Sequence, residues 1–246
     1  LKQMKLNKNL TRTLINIYDV VYKQFNYSLK IIFANKFIYF FAAAIIFFLI
    51  VVSVNLFGNS KLDIGSIYYI LIFPGILLVF YPATFGIQND DDSRMLENIF
   101  AIPNYRFKVW LPRLIMIYVL VAVLLLLLAL FSSFALLVVP VFEMAYQLMF
   151  PIFFLGSLAF AISTIVKNGN GTAVIMVLIG LVFWISAGIL QGSEWNIFLN
   201  PFDMPSDMNE VIWNSVIVKN RLYLVSGMVL TILYGLFNLQ KREKFI

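Results

Sequence analysis

The sequence predicts an all-α membrane protein with six transmembrane helices, and three observations lead to this fold class. The mean hydropathy of the chain is +0.91. Only 12% of its 246 residues are charged, against roughly 25% in soluble proteins. The apolar residues form six runs of about 20 residues, the length that crosses a bilayer as a helix. No run carries Asp, Glu, Lys or Arg between its ends, so lipid is the predicted solvent for most of the chain.

The composition also excludes several classes of chemistry. The chain has no Cys and no His, which removes disulfides, thiol nucleophiles, imidazole metal sites and HExxH metalloprotease chemistry. It has no GxxxxGK[ST] loop to hold a nucleotide phosphate. We therefore predict no catalytic residue, no cofactor and no metal site in this chain. An intramembrane enzyme would have to rely on Ser, Thr, Asn, Tyr or charges at the ends of the spans.

The predicted spans follow the apolar runs. They cover about residues 37–57, 66–86, 114–139, 145–166, 172–190 and 222–240. The first contains FIYFFAAAIIFFLIVVSV and the third VLVAVLLLLLAL. The second and fourth contain Pro74, Pro82 and Pro151, which membrane helices tolerate because their surroundings satisfy the freed backbone groups. The fifth is the shortest. A signal peptide does not fit, because the first run is long enough to span and a long basic segment precedes it.

The basic residues predict the orientation of the chain. All but three of the 18 Lys and Arg residues lie before the first span, in the 87–113 loop, in the 167–171 turn or in the tail. The other three are Lys61, Lys219 and Arg221. Cytoplasmic loops of membrane proteins carry an excess of Lys and Arg. Both termini are therefore predicted to be cytoplasmic. The net charge of +6 is read as this topology signal, and no nucleic-acid partner is predicted.

Residues 1–36 are predicted to carry an amphipathic helix. Polar residues recur at spacings of three and four from Arg12 to Lys30, and apolar residues from Leu14 to Ile32 form the opposite stripe. A soluble helix packed elsewhere on the protein is the alternative, but the sequence offers no soluble domain for it to contact. We therefore expect a helix lying in the cytoplasmic membrane interface.

Residues 87–113, here named the polar island, interrupt the apolar runs with NDDDSRMLENIFAIP. Asp90, Asp91 and Asp92 predict the start of a short helix, because acidic side chains stabilise the N-terminal end of the helix dipole. Arg94 is four residues after Asp90 and three before Glu97, so both pairs can meet on a helix face. The apolar flank consists of Met95, Leu96, Ile99, Phe100 and Ile102, and Pro103 ends the helix.

A solvated loop with an acidic patch is the alternative for the polar island. Such a loop has no use for the apolar residues at 95–102. The pattern therefore favours a surface that docks another protein.

Residues 191–221 are predicted to form one or two short helices in the outer leaflet. The segment carries Trp195, Phe198, Phe202 and Trp213, and aromatic rings collect at membrane interfaces. An ordinary ordered loop is the alternative.

Together these features resemble the permease subunit of type-2 ABC exporters. That family has an N-terminal interfacial helix, six spans, a cytoplasmic coupling helix between spans two and three, and short outer helices between spans five and six. The stretch GIQNDDDSRMLENIFAIPNYRFKVWLPRL is similar to the family's pattern of an acid, a Leu-Glu pair, a Pro and two basic residues before span three. The matching positions are Asp90 to Asp92, Leu96, Glu97, Pro103, Arg106 and Arg113. The family usually has Lys at position 113 and fewer acids, and its basic tail resembles QKREKFI.

The resemblance covers essentially residues 1–246 as one transmembrane domain and implies a function. The chain would be the permease of an ATP-driven exporter in a bacterial plasma membrane. A separate ATPase subunit would bind ATP and Mg, and a second permease chain, identical or different, would complete the pathway in the lipid bilayer. The implied ATPase-coupling residues are Asp90, Asp91, Asp92 and Arg94, with Leu96, Glu97, Ile99 and Phe100. The three apolar members would anchor the helix in a groove of the ATPase.

Aromatic residues of spans two and five are the candidate lining of the pathway. They are Tyr69, Phe73 and Phe80 in span two, and Phe183 and Trp184 in span five. Plain contact with lipid or with the protein core is the alternative for each of them. An apolar, uncharged lining predicts an amphipathic or lipidic substrate such as a peptide, an antibiotic or a lipid.

Other transporters remain open as alternatives. Permeases of lipid-linked polysaccharide share the architecture, and LNPF at 199–202 is similar to an element in them, but their basic N-terminal motif is not evident. Permeases of the cytochrome-biogenesis haem exporter share the acidic loop but fit the two termini less well. An ion-coupled transporter fits less well. Such proteins usually keep ionisable residues inside the membrane and are built from inverted repeats, whereas the predicted spans carry no charged residue between their ends and no obvious repeat. A facilitator or a membrane scaffold also stays open.

Overall fold

The structure is a computed structural model that describes residues 37–57 and 62–240. The predicted interfacial helix of residues 1–36 and the basic tail 241–246 lie outside the described residues. Within them the chain is helical and forms no strand. The elements are α1 Phe37–Phe57, α2 Ile64–Asp92, α3 Met95–Ala101, a π-helical turn Arg106–Trp110, α4 Leu111–Ala135, α5 Val141–Val166, α6 Gly169–Ile189 and α7 Glu210–Asn238.

Six of these helices are long and apolar enough to cross a membrane, namely all except the short α3. This confirms the prediction of an all-α chain with six long apolar helices. Length and composition together define a multi-pass membrane protein.

Helices α2 and α5 form the centre of the bundle. In their most apolar stretches 56% of the residues are buried, against 11% in α6. Helix α5 packs most extensively on α7 and α2, α1 packs on α2, and α4 packs on both central helices. The largest fully buried side chains of the bundle include Tyr68 on α2, Leu125 on α4 and Ile152 on α5. Helix α6 contacts α2 and α5 and leaves most of its surface exposed.

Polar side chains fix where three of the helices begin. The Asp63 carboxylate accepts a hydrogen bond from the Ser66 N–H at 2.9 Å, Asn168 accepts from Gly171 N–H at 2.9 Å, and Asn209 accepts from Ile212 N–H at 2.8 Å. Such N-caps satisfy backbone donors that have no partner within the helix. Lys167, at φ 63°, reverses the chain after α5, so only two residues separate α5 from α6.

Several helix boundaries differ from the predicted spans. Helix α2 runs to Asp92 rather than ending near residue 86, and α7 begins at Glu210 rather than at 222. Helical hydrogen bonding continues into polar flanks that hydropathy does not assign to a span. The prediction of separate short helices between α6 and α7 is wrong, because residues 190–209 form turns and only the 210–221 part is helical, as the start of α7.

Small residues allow α7 to lie close against α5. Gly227, Thr231 and Gly235 follow each other at intervals of four, which places them on one face of the helix. A methyl group at Gly227 would come within 2.7 Å of the Phe154 ring. The Thr231 hydroxyl donates to the Ser157 hydroxyl at 2.8 Å. Small residues at helix crossings bring backbones together in membranes, so this stripe explains the extensive α5–α7 contact.

Candidate functional site

A buried ion pair links the two ends of the polar island. Arg113 Nη1 lies 2.6 Å from Asp90 Oδ2, and Nη2 donates to Oδ1 at 3.2 Å. The two side chains are 10% and 3% exposed, and the Arg113 guanidinium lies 5.0 Å from the centre of the Trp110 ring. Because Asp90 lies in the last turn of α2 and Arg113 in the first turn of α4, the pair joins the two spans on either side of the island.

The three aspartates do not start a helix, contrary to the sequence prediction. Asp90, Asp91 and Asp92 form the last turn of α2. Ser93 then donates its hydroxyl to the Asn89 carbonyl at 2.7 Å, and Arg94, at φ 53°, turns the chain into α3. Acidic side chains are unfavourable at the C-terminal end of a helix dipole. Arg113 neutralises the only buried member of the three.

The predicted charge pairs within the island are also wrong. Asp90 pairs with Arg113, which is 23 residues away, and not with Arg94. Among the described residues neither Arg94 nor Glu97 forms an ion pair, and both side chains are exposed.

The three apolar residues expected to anchor a partner are buried within the chain itself. Leu96, Ile99 and Phe100 belong to an apolar cluster at the island end of the bundle. The cluster also contains Ile87, Tyr105, Trp110, Leu114, Phe160, Leu236 and Leu239. They therefore attach α3 to the bundle of its own chain.

Hydrogen bonds tie the polar island to the end of α7. The Tyr105 hydroxyl donates to the Leu239 carbonyl. Arg106 Nη1 donates to Gln240 Oε1 at 3.2 Å and approaches the Leu236 carbonyl at 3.5 Å. On the α6 side, the Gly169 N–H donates to Gln88 Oε1 at 2.6 Å. The island, the α5–α6 turn and the end of α7 thus share one end of the bundle.

The exposed face of the polar island is strongly charged. Its exposed charged residues are Asp91, Asp92, Arg94, Glu97 and Lys108. Two apolar side chains, Ile102 at 38% and Phe107 at 52% exposure, lie among them. This face carries four of the eight residues predicted to contact an ATPase.

A large groove opens between α1, α2 and α6, with α5 behind it. Its volume is ≈ 690 Å³, within the range of roughly 300–1,000 Å³ of small-molecule sites. Seven aromatic residues line it: Phe40, Phe47, Tyr69, Phe73, Phe80, Trp184 and Phe198. We name it the aromatic groove. Four of the five predicted pathway residues lie here, whereas Phe183 packs half-buried against the core.

A buried arginine, Arg221, lies at the opposite end of the bundle, just before the predicted span 222–240. Arg221 is 7% exposed within α7. Its Nε donates to Gln147 Oε1 at 2.9 Å, Nη1 to Asn220 Oδ1 at 2.8 Å and Nη2 to the Leu199 carbonyl at 3.2 Å. Its partners are neutral, and the Phe150 ring lies 5.3 Å from the guanidinium. No spacing in the sequence indicates these contacts.

Asn220 holds the α6–α7 connection, residues 190–209, on the bundle. Its side-chain amide donates to the carbonyls of Glu194 at 2.9 Å and Asn196 at 2.8 Å. Tyr68 donates to the Leu199 carbonyl at 3.2 Å, and Asn200 donates to the Gly65 carbonyl at 2.9 Å. The connection is therefore an ordered element that covers one end of the bundle.

Asn220→Ala is expected to destabilise the chain by about 2 kcal/mol, because buried carbonyls lose their donors and each lost hydrogen bond costs roughly 1 kcal/mol or more. Thermal unfolding in detergent, followed by tryptophan fluorescence, measures the change. The control is Asn98→Ala on the exposed face of α3, which we expect to change stability by less than about 0.5 kcal/mol. Equal unfolding temperatures for the two variants would contradict the assigned role of Asn220.

Comparisons with protein families, with curated proteins and with solved structures found no match to this chain. The resemblance to ABC permeases therefore stays a prediction from the sequence. Among the described residues no group of His, Cys, Asp and Glu is arranged to hold a metal ion. Fold and geometry define a multi-pass α-helical membrane protein with a charged, firmly attached island at one end and a lateral aromatic groove.

Proposed function

We propose that the chain is the permease subunit of a type-2 ABC exporter. Two permease chains form the pathway in a bacterial plasma membrane, with both termini in the cytoplasm. A separate ATPase subunit binds ATP and Mg and docks on the polar island. The substrate is amphipathic or lipidic, in keeping with the apolar lining of the aromatic groove.

The observation that carries this proposal is the way the polar island is attached. Its apolar side chains are buried in its own protein, which leaves a charged face exposed on a firmly held element. The Asp90–Arg113 pair connects it to α2 and α4, and Tyr105 connects it to α7. A displacement imposed on α3 by a partner is therefore transmitted to three spans, which is the property a coupling element needs.

The surface to test is the exposed acidic part of the island. A variant with Asp91, Asp92 and Glu97 changed to Ala leaves the buried Asp90 pair intact. Its tagged form and the wild type are purified from native membranes in mild detergent, and bound P-loop ATPase is identified by mass spectrometry and assayed for ATP hydrolysis. We expect about tenfold less ATPase subunit with the variant, which corresponds to about 1.4 kcal/mol of binding free energy.

The matched control removes the same charge from the other end of the bundle. Glu143, Asp207 and Glu210 are exposed there, and changing all three to Ala is expected to leave ATPase recovery and ATP hydrolysis unchanged. If no ATPase accompanies the wild type in any mild detergent, the permease proposal fails. Equal losses in both triple variants would show that net charge, and not the island, controls association.

A further inference from the structure

We propose that the aromatic groove binds organic cations with a large apolar body, and that Asp63 and Asp203 at its mouth select the positive charge. The proposal deepens the transport function above by giving the substrate class, and it rests on that function for its physiological meaning. The binding itself is a property of this chain, independent of any ATPase.

The body of the groove suits an aromatic or aliphatic ligand. None of the described residues that line it is charged, and Tyr69 is one of the few lining residues with a polar group. From Tyr69 to Phe80 the α2 wall extends for about 16 Å, at roughly 1.5 Å per residue. The faces of aromatic rings carry negative partial charge and attract cations. Seven aromatic residues in one groove therefore favour a cation over an anion of equal size.

The mouth of the groove is acidic. Tyr69, Trp184 and Phe198 line the end nearest the α6–α7 connection, and Gly65 lies one turn before Tyr69. A methyl group built on Gly65 would be 3.3 Å from Asp203 Cβ and 3.4 Å from Asp63 Oδ2. The two aspartates thus flank the same turn of α2. Asp203 is also close enough to Tyr69 to interact with it electrostatically.

Both aspartates are exposed. Among the described residues neither takes part in an ion pair. Hydrogen bonds from the Ser66 hydroxyl and N–H hold the pKa of Asp63 below its usual value, so Asp63 is ionised at neutral pH. The buried Arg221 directs its guanidinium to Gln147, Asn220 and the Leu199 carbonyl. Its charge does not pair with either aspartate.

The aromatic groove and the two aspartates contact different parts of one ligand. The groove removes the apolar body from water or lipid headgroups, and the aspartates attract the charge where the groove meets the interface. An organic anion of the same shape would meet repulsion from both carboxylates and from the ring faces. Selection by charge sign is therefore the property that distinguishes this site from a nonspecific lipid-filled surface.

Tetraphenylphosphonium and tetraphenylborate test the charge selection, because they have nearly the same shape and opposite charge. The purified full chain is placed in nanodiscs of zwitterionic lipid, and binding is measured by equilibrium dialysis with empty nanodiscs subtracted. We expect saturable binding of tetraphenylphosphonium, at least about tenfold tighter than that of tetraphenylborate. Equal or tighter saturable binding of the anion, or no saturable binding of the cation, would overturn the proposal.

Two glycines on α6 provide a matched pair of groove variants. A methyl group at Gly180 or Gly188 would meet no atom within 4 Å, and of the two only Gly180 lines the groove. We expect Gly180→Leu to abolish binding of tetraphenylphosphonium and Gly188→Leu to leave it unchanged. Binding that persists in Gly180→Leu would place the cation elsewhere and refute the site.

The mouth is tested by the double variant Asp63→Asn and Asp203→Asn. Asn is as good an N-cap as Asp, so the start of α2 is preserved. We expect the affinity for tetraphenylphosphonium to fall about tenfold and that for tetraphenylborate not to fall. Unchanged affinity for the cation would refute the role of the aspartates. Because no ATPase is present, cation binding can stand even if the island experiment refutes the permease function, and the reverse also holds.

Discussion

Arg113→Met is expected to destabilise the chain by about 3–5 kcal/mol, the cost of leaving one partner of a buried ion pair unpaired. The Asp90 carboxylate is 3% exposed and accepts two hydrogen bonds from Arg113. Without the guanidinium the buried carboxylate loses its cationic partner and both of these hydrogen bonds. The change is measured by denaturant unfolding in mixed micelles, followed by circular dichroism and tryptophan fluorescence.

A double variant distinguishes the cost of an unpaired buried charge from the cost of lost side-chain packing. Replacing both partners with apolar residues, as Asp90→Leu with Arg113→Met, removes the buried charge altogether. Such replacements are often neutral or stabilising, so we expect the double variant to recover most of the loss. Asp91→Asn is the control on the same turn of α2, where the side chain is exposed. The assignment fails if Arg113→Met is no less stable than Asp91→Asn.

The bundle could be predicted because hydropathy reports directly on which segments lipid can solvate. Six apolar runs predicted six helices, and the six long apolar helices of the structure lie at those runs. The ends of α2 and α7 could not be predicted in this way. Asp90 to Asp92 are charged and the 210–221 stretch mixes apolar residues with Glu210, Lys219 and Arg221, yet each is part of a helix because no residue in it interrupts the backbone hydrogen bonds. Hydropathy defines a span, whereas backbone geometry defines the helix.

The fold of the polar island explains why helix spacing predicts the wrong partner for Asp90. Spacing along a helix identifies partners three or four residues away, so it predicts Arg94 as the partner of Asp90. The real partner, Arg113, follows a turn, a short helix and a π-helical turn. Of the predicted apolar flank, Leu96, Ile99 and Phe100 form the buried face of α3, whereas Ile102 lies beyond its end and is exposed. Periodicity does not say what covers such a face, and here Tyr105, Trp110 and Leu239 of the same chain cover it.

The residues that line the aromatic groove are easier to predict from the sequence than the contacts of the polar island, because their arrangement on α2 follows from local helix geometry. Tyr69, Phe73 and Phe80 recur at spacings of four and seven, which place them on one face of α2. Phe183 and Trp184 are adjacent and therefore point in different directions. Only Trp184 reaches the groove, while Phe183 packs against the core. The contacts of Arg221 had no such local signal, since Gln147 and Leu199 come from distant parts of the chain.

Gly235→Leu is expected to destabilise the chain by about 3 kcal/mol, at the upper end of the usual cost of overpacking. A methyl group at Gly235 would already come within 2.6 Å of Phe160 Cε1 and 3.5 Å of the Ala161 Cα. Phe160 cannot move aside easily, because it is buried next to Trp110, whose ring centre is 6.3 Å away. The clash therefore separates α7 from α5 and disturbs the cluster beneath the polar island.

Gly188→Leu is the control for Gly235→Leu, since a methyl group at Gly188 on α6 would meet no atom within 4 Å. Replacing Gly with Leu inside a helix favours folding by roughly 0.5–1 kcal/mol, so this variant should be as stable as the wild type or slightly more stable. Thermal unfolding of both variants in the same detergent gives the comparison. Adding Phe160→Ala to Gly235→Leu makes room at the crossing and should restore part of the loss. If both Leu variants unfold at the same temperature, close packing of α5 and α7 does not hold α7 against the island, and Tyr105 and Arg106 alone would have to connect the two.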